Sequence, residues 1–140
     1  FAGQIEIMKS QQGVIQDRTI YEDVEIFARN LHQMQYLTDR DWDTYKHLFN
    51  NMTQFLRKPD LIIYLRASTD TLLSRINNRD RDFERDISSE YLHSLNISYD
   101  QWIKSCSEHK VMIIESDGFN IFNDNAKLKA ILTQIKEALP

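Results

Sequence analysis

Apolar residues along the chain follow two alternating patterns. Three short apolar runs stand out: Gly13-Val14-Ile15-Gln16, Leu61-Ile62-Ile63-Tyr64-Leu65 and Lys110-Val111-Met112-Ile113-Ile114. The first, rich in β-branched residues, predicts a buried strand that ends at the polar turn Asp17-Arg18-Thr19. The other two have the continuous apolar character of strands covered on both faces of a parallel sheet. Between the runs, apolar residues recur every three or four positions, which predicts helices. One such series is Ile20, Val24, Phe27 and Leu31. A second is Trp42, Tyr45, Leu48, Phe49, Met52 and Phe55-Leu56, with Thr38 as its N-cap, Asp41 in its first turn and Pro59 as its stop. A third carries Leu72, Leu73 and Ile76 behind a cap at Ser68 or Thr69. A fourth carries Tyr91, Leu92, Leu95, Tyr99, Trp102 and Ile103 behind Ser88 or Ser89. The charged stretch from Arg79 to Asp86 predicts an exposed loop, Asp117-Gly118 a turn, and Asn125 to Leu139 a final amphipathic helix. The order is strand, two helices, strand, two helices, strand, helix, which indicates an α/β domain built on a parallel sheet flanked by helices. In such sheets chemistry gathers at the carboxyl ends of the strands. Those ends are Asp17-Arg18-Thr19, Arg66-Ala67-Ser68-Thr69 and Glu115-Ser116-Asp117.

Composition narrows the function classes. The 140 residues fit one domain and are enough to bury a core. With 17 Lys and Arg against 21 Asp and Glu, the formal charge of −4 provides no net basic field for a general nucleic-acid binder. The single cysteine, Cys106, excludes a disulfide framework and suits a reducing cytoplasm. No apolar run approaches the roughly 20 residues of a membrane helix. The three glycines, Gly3, Gly13 and Gly118, lie too far apart to form a glycine-rich phosphate loop. Together with two prolines, they also leave too few turn residues for an all-β fold.

Several clusters are chemically suggestive, and each has a plainer reading beside it. In Asp17-Arg18-Thr19, Arg18 can fork onto phosphate oxygens and Asp17 can hold a divalent cation such as Mg²⁺, directly or through water. The same tripeptide can be an ion pair and a helix cap. Arg75 and Arg79 lie four apart on one helical face, with Arg81 just beyond. Three guanidiniums suit a polyphosphate, but they can equally pair with Asp80, Asp82 and Glu84 on a solvated surface. Glu84 can accept from a substrate hydroxyl or neutralise Arg81 or Arg85. Asp23 and Phe27, one turn apart, can grip a nucleobase by its edge and its face, although Phe27 can also be core. No two His residues stand at ligand spacing.

Taken together, these segments resemble the deoxyribonucleoside kinase family, in particular its bacterial deoxyadenosine/deoxyguanosine kinase branch. The resemblance rests on Ile15-Gln16-Asp17-Arg18-Thr19-Ile20-Tyr21-Glu22-Asp23, Ile26-Phe27-Ala28, Pro59-Asp60-Leu61-Ile62-Ile63-Tyr64-Leu65, Arg75 through Glu84, and Tyr91-Leu92. It runs from Gly13 to about Leu139, and the block from Ile15 to Asp23 is its specific part. The resemblance implies a P-loop kinase fold that transfers the γ-phosphate of ATP to a deoxynucleoside 5′-hydroxyl. It implies that Asp17-Arg18-Thr19 lies near that hydroxyl and the metal, with Arg18 on the reacting phosphate. Arg75, Arg79 and Arg81 would be lid arginines over the donor phosphates, and Glu84 would accept from the sugar 3′-hydroxyl. Asp23 would read the base edge and Phe27 would stack on the base. The stretch from Asp117 to Asn123, with Phe122, would lie beside the donor adenine. Family members often dimerise through long helices, so the Thr38–Phe55 helix or its neighbour is the expected homodimer face.

The departures are equally specific. The Walker A pattern Gly-x-x-x-x-Gly-Lys-Ser/Thr is absent, as are its strand and the segment that holds the family's catalytic base. Phe1 is not an initiator methionine, and Ile5-Glu6-Ile7-Met8 has no cap or turn before it. The expectation is therefore the C-terminal two-thirds of a single kinase-like domain, with a lid at about residues 79–87 and no useful activity by itself. Other readings are a thymidylate kinase relative, a non-catalytic α/β interaction module, and, against the net acidity, RNA binding through Arg75 to Arg85.

Overall fold

In the computed structural model, the described residues are 6, 7, 9, 10, 12–79, 81 and 87–140. They fall into two compact units, Phe1–Lys58 and Pro59–Pro140.

The first unit is helical. The strand expected at Gly13–Gln16 does not form. Val14 is about half exposed and Ile15 is 100% exposed, and among the described residues no segment pairs with them. A β-branched run becomes a strand only when a neighbour takes its backbone N–H and C=O groups. A helix, labelled α1, begins at Ile20, where the apolar period starts. Its entry is held by the Glu22 carboxylate, which accepts from the Thr19 backbone N–H at 2.8 Å.

Helix α1 has three parts: α-helical Ile20–Glu22, a π-helical stretch Asp23–Ala28, and α-helical Arg29–Gln33. Because π-helical bonding runs i→i+5, the stretch departs from the 3.6-residue period, and its buried side is not the stripe that period predicts. The buried residues are Val24, Ile26, Ala28 and Asn30, with Ile26 at 0% exposure, whereas Leu31 is exposed.

Helix α2, Asp39–Thr53, starts where the sequence indicates: Thr38 Oγ1 accepts from the Asp41 N–H at 3.2 Å. It stops at Thr53, short of Pro59. The chain then loosens through i→i+3 bonds from Phe55 to Met52 and from Leu56 to Thr53. Tyr21 meets Phe49 edge to face at 5.9 Å, and His32 stacks on Trp42 at 5.5 Å, joining α1 to α2.

The second unit is α/β. Strand β1, Ile62–Arg66, pairs in parallel with β2, Val111–Glu115, in register from Ile62 opposite Val111 to Arg66 opposite Glu115. Helices α3, Thr69–Arg79, and α4, Ser89–Ser105, lie between the strands in sequence, and α5, Asn125–Ala138, follows β2. The caps are local and clear. Ser68 accepts from the Thr71 N–H at 3.2 Å, Ser88 from Tyr91 at 3.1 Å, and Asp124 from Lys127 at 2.9 Å.

The strands are covered only in part on each of their two faces, not fully on both as their apolar runs suggest: the register sets the buried Tyr64 beside the exposed Ile113 on one face and the buried Ile114 beside the exposed Leu65 on the other. Tyr64 and Ile114 are buried, whereas Ile63, Leu65 and Ile113 are exposed, Leu65 at 64%. Tyr64 stacks on Tyr99 of α4 with ring centroids 5.6 Å apart. The Asn96 amide of α4 donates to the Ala67 carbonyl at 2.9 Å, which ties α4 to the carboxyl end of β1. After β2 the chain turns at Asp117-Gly118, where glycine takes φ +64°.

Candidate functional site

In the first unit, the Asp17–Thr19 tripeptide is a turn ahead of α1. Arg18 adopts φ 58°, a left-handed conformation that is uncommon for any residue with a side chain. That turn carries the guanidinium back over the helix, where its carbon lies 5.2 Å from the Phe27 ring centroid. Arg18 and Phe27 are therefore brought together, with the guanidinium over the ring. Asp17, Arg18 and Asp23 are exposed, and Phe27 is half-buried. Burial raises the Tyr45 phenol, and the negative charge of Asp23 raises it further. Among the described residues, no group of three or more His, Cys, Asp or Glu is placed to hold a metal ion. Asp17 alone still suits Mg²⁺, which characteristically takes one or two carboxylates and completes its shell with water and substrate phosphates.

In the second unit, two of the three strand ends meet. A cleft of about 270 Å³ opens at the carboxyl ends of β1 and β2, between Arg66, Ala67 and Ser68 on one strand end and Glu115 and Asp117 on the other. Tyr64, Asn96 and Asp100 complete its lining. Arg66 pairs with Glu115 across the register, which holds the Glu115 carboxyl below its ordinary range. The Tyr64 hydroxyl donates to Asp100 at 3.4 Å, and burial first, then the Asp100 charge, pushes the Tyr64 phenol up to about 12.

The candidate arginines differ in setting. Arg75 is bound down to the chain after β2. Its guanidinium donates to Ser116 Oγ at 3.2 Å and to the Ser116 carbonyl at 2.5 Å. Arg79 ends α3, and Arg81 lies exposed beyond it. Glu84 lies outside the described residues. Phe122 is 84% exposed on the stretch that follows Gly118.

The residues that the sequence did not single out individually are Ser116 and Asp117. Asp117 Oδ1 accepts from the Ser68 N–H at 2.9 Å and from the Ser68 hydroxyl at 3.3 Å. The Ser68 N–H first, then the Thr71 hydroxyl, holds the Asp117 carboxyl below its ordinary range. The available signal was their place at a strand end.

The comparisons agree in direction. All of residues 1–140 match the family model described as deoxynucleoside kinase. The chain is 44% identical over 109 residues to the deoxyadenosine kinase of Dictyostelium discoideum, covering 78% of this chain and 44% of that one. It is 30% identical over 141 residues to the deoxyadenosine/deoxycytidine kinase of Bacillus subtilis (strain 168), covering 99% of this chain and 65% of that one. Among solved structures, it superposes on M. mycoides deoxyadenosine kinase with bound dATP at a TM-score of 0.78 and 27% identity, covering 96% of this chain and 68% of that one. The same enzyme with the products dCMP and dCDP gives a TM-score of 0.80, also at 27% identity, with coverage of 97% and 68%. The chain thus spans roughly half to two-thirds of the curated relatives it matches.

Proposed function

Because the chain belongs to the deoxynucleoside kinase family, we propose that the protein carrying it transfers the γ-phosphate of ATP to the 5′-hydroxyl of a deoxynucleoside. The single observation that carries this reading is the family match along all 140 residues. Deoxyadenosine is the favoured acceptor, with deoxyguanosine and deoxycytidine as further substrates. Asp23 carries an acceptor carboxylate suited to a base with an exocyclic amine, and two of the relatives named above are kinases for adenine or cytosine deoxynucleosides.

In this reading Phe27 stacks on the base and Asp23 reads its edge. Arg18 leaves the Phe27 ring and orients the reacting phosphate. Asp17 would hold Mg²⁺, which when bound would supply charge neutralisation at the transferring group. Arg75, Arg79 and Arg81 stabilise charge that develops on that group. Glu84 accepts from the sugar 3′-hydroxyl, and Phe122 lies beside the donor adenine. Residues 1–140 form the C-terminal two-thirds of one kinase domain with its lid at about residues 79–87. The working protein is a cytoplasmic homodimer that uses neither nucleic acid nor membrane, and among the described residues no helix is long and apolar enough to cross a membrane.

The test is a panel assay of the full-length protein with ATP and each of deoxyadenosine, deoxyguanosine, deoxycytidine, thymidine and thymidine monophosphate. Phosphorylation led by deoxyadenosine supports the reading. Turnover of the monophosphate alone makes the protein a thymidylate kinase relative, and failure to bind ATP makes it an interaction module.

A further inference from the structure

Helix α3 is gripped at two points by two adjacent residues. At its N-terminus, Asp117 takes the Ser68 N–H at 2.9 Å and the Ser68 hydroxyl at 3.3 Å. A carboxylate there also faces the positive end of the helix dipole. Seven residues further along, Arg75 binds Ser116 through both its hydroxyl and its carbonyl. Ser116 is itself fixed: it is buried, and both its N–H and its hydroxyl donate to the Arg66 carbonyl, at 2.8 and 2.9 Å. The Ser116 carbonyl that receives Arg75 also accepts from the Phe119 N–H at 3.2 Å. One carbonyl therefore belongs both to the arginine helix and to the turn that leads to Phe122.

The two grips lie about 10 Å apart along the helix axis. A helix held at one point can still rotate about that point. A helix held at two points has its axial rotation set, and that rotation decides the direction in which Arg79, one turn beyond Arg75, leaves the helix end.

We propose that Asp117 is a positioning residue: through Ser68 and α3 it aims Arg79 at the donor phosphates and couples its placement to the Phe122 segment. This rests on the kinase reading above. In this proposal Asp117 acts through the bonds it makes to Ser68 and thus through α3. Its effect belongs to ATP rather than to the deoxynucleoside, because the bonds it makes lead to the arginines and to the donor-side segment.

The experiment compares wild type, Asp117→Ala and Asp117→Asn in the full-length protein by steady-state kinetics with ATP and deoxyadenosine each varied. Alanine removes the acceptor, whereas asparagine keeps an acceptor oxygen in the same place. Losing a charge-assisted acceptor predicts that Asp117→Ala raises the KM for ATP roughly tenfold and leaves the KM for deoxyadenosine within about twofold. Asp117→Asn should recover most of the ATP affinity. Equal losses in both variants, or a parallel change in both KM values, overturns the proposal. Wild-type turnover is the control that judges the kinase reading separately. If turnover is absent, that reading falls and takes the aim at donor phosphates with it; the grip on α3 is then judged by amide exchange over residues 68–79, and exchange equal in Asp117→Ala and wild type overturns it. Faster exchange in the alanine variant, restored by asparagine, upholds the two-point grip.

Discussion

At φ 58° the Arg18 backbone sits where glycine is at ease and a side chain costs about 1–2 kcal/mol. The contact with Phe27 returns part of that cost, since an exposed cation–π pair contributes about 0.5–1 kcal/mol. Replacing Arg18 with glycine therefore separates folding from chemistry. The thermal midpoint of Arg18→Gly should stay within a few degrees of wild type. Its kcat/KM for deoxyadenosine should fall by about 100-fold or more in the full-length protein, as removing a preorganised charge at a reacting group does. A thermal scan and steady-state kinetics on the same preparation check both halves.

Tyr64 provides a pH test. Its folded pKa, pushed up to about 12, lies above the ordinary value of 10.0. The unfolded chain therefore loses this proton first as pH rises. The stability owed to Tyr64 is fully present below about pH 10 and declines from there through about pH 12. Tyrosinate absorbance should show a late step near pH 12 that Tyr64→Phe removes. The character of Arg18 as a candidate was visible in the sequence. Its left-handed backbone was not, because a polar tripeptide does not encode which rare conformation its turn will use.

Among the elements, the helix caps were the most legible, because a cap joins a side chain to an N–H only three residues away. Thr38 and Ser88 are both where the pattern puts them. Thr38→Ala should cost about 1 kcal/mol in chemical denaturation. The π-helical stretch was illegible for the opposite reason. It breaks the period by which helices are recognised, so Ile26 escaped the apolar stripe although it is the most deeply buried side chain described. Ile26→Ala should cost about 2–5 kcal/mol in urea unfolding of the full-length protein, far more than truncating Leu31, which the period favoured. The strand expected at Gly13–Gln16 failed because pairing is non-local: its residues have the right shape, and among the described residues they have no partner.

At the scale of the whole molecule, the α/β class and the parallel pairing of the two later strands followed from alternating runs and periods. So did the interest of their carboxyl ends, where a cleft lined by polar side chains opens. The two-point hold on α3 did not, since it depends on which of many serines and aspartates the fold brings together across about 49 positions of chain. The lack of a glycine-rich cradle leads to a direct test. The isolated 140 residues, purified and supplied with ATP and deoxyadenosine, should form no deoxyadenosine monophosphate above background.

The incomplete cover of β1 and β2 also decides how such a preparation behaves on the bench. Ile63, Leu65 and Ile113 stand exposed on a sheet in which, among the described residues, each strand pairs only with the other. Unprotected strand edges beside apolar side chains are templates for further pairing. For the isolated chain, the practical limit is thus colloidal: time and concentration before precipitation, rather than the temperature at which it unfolds.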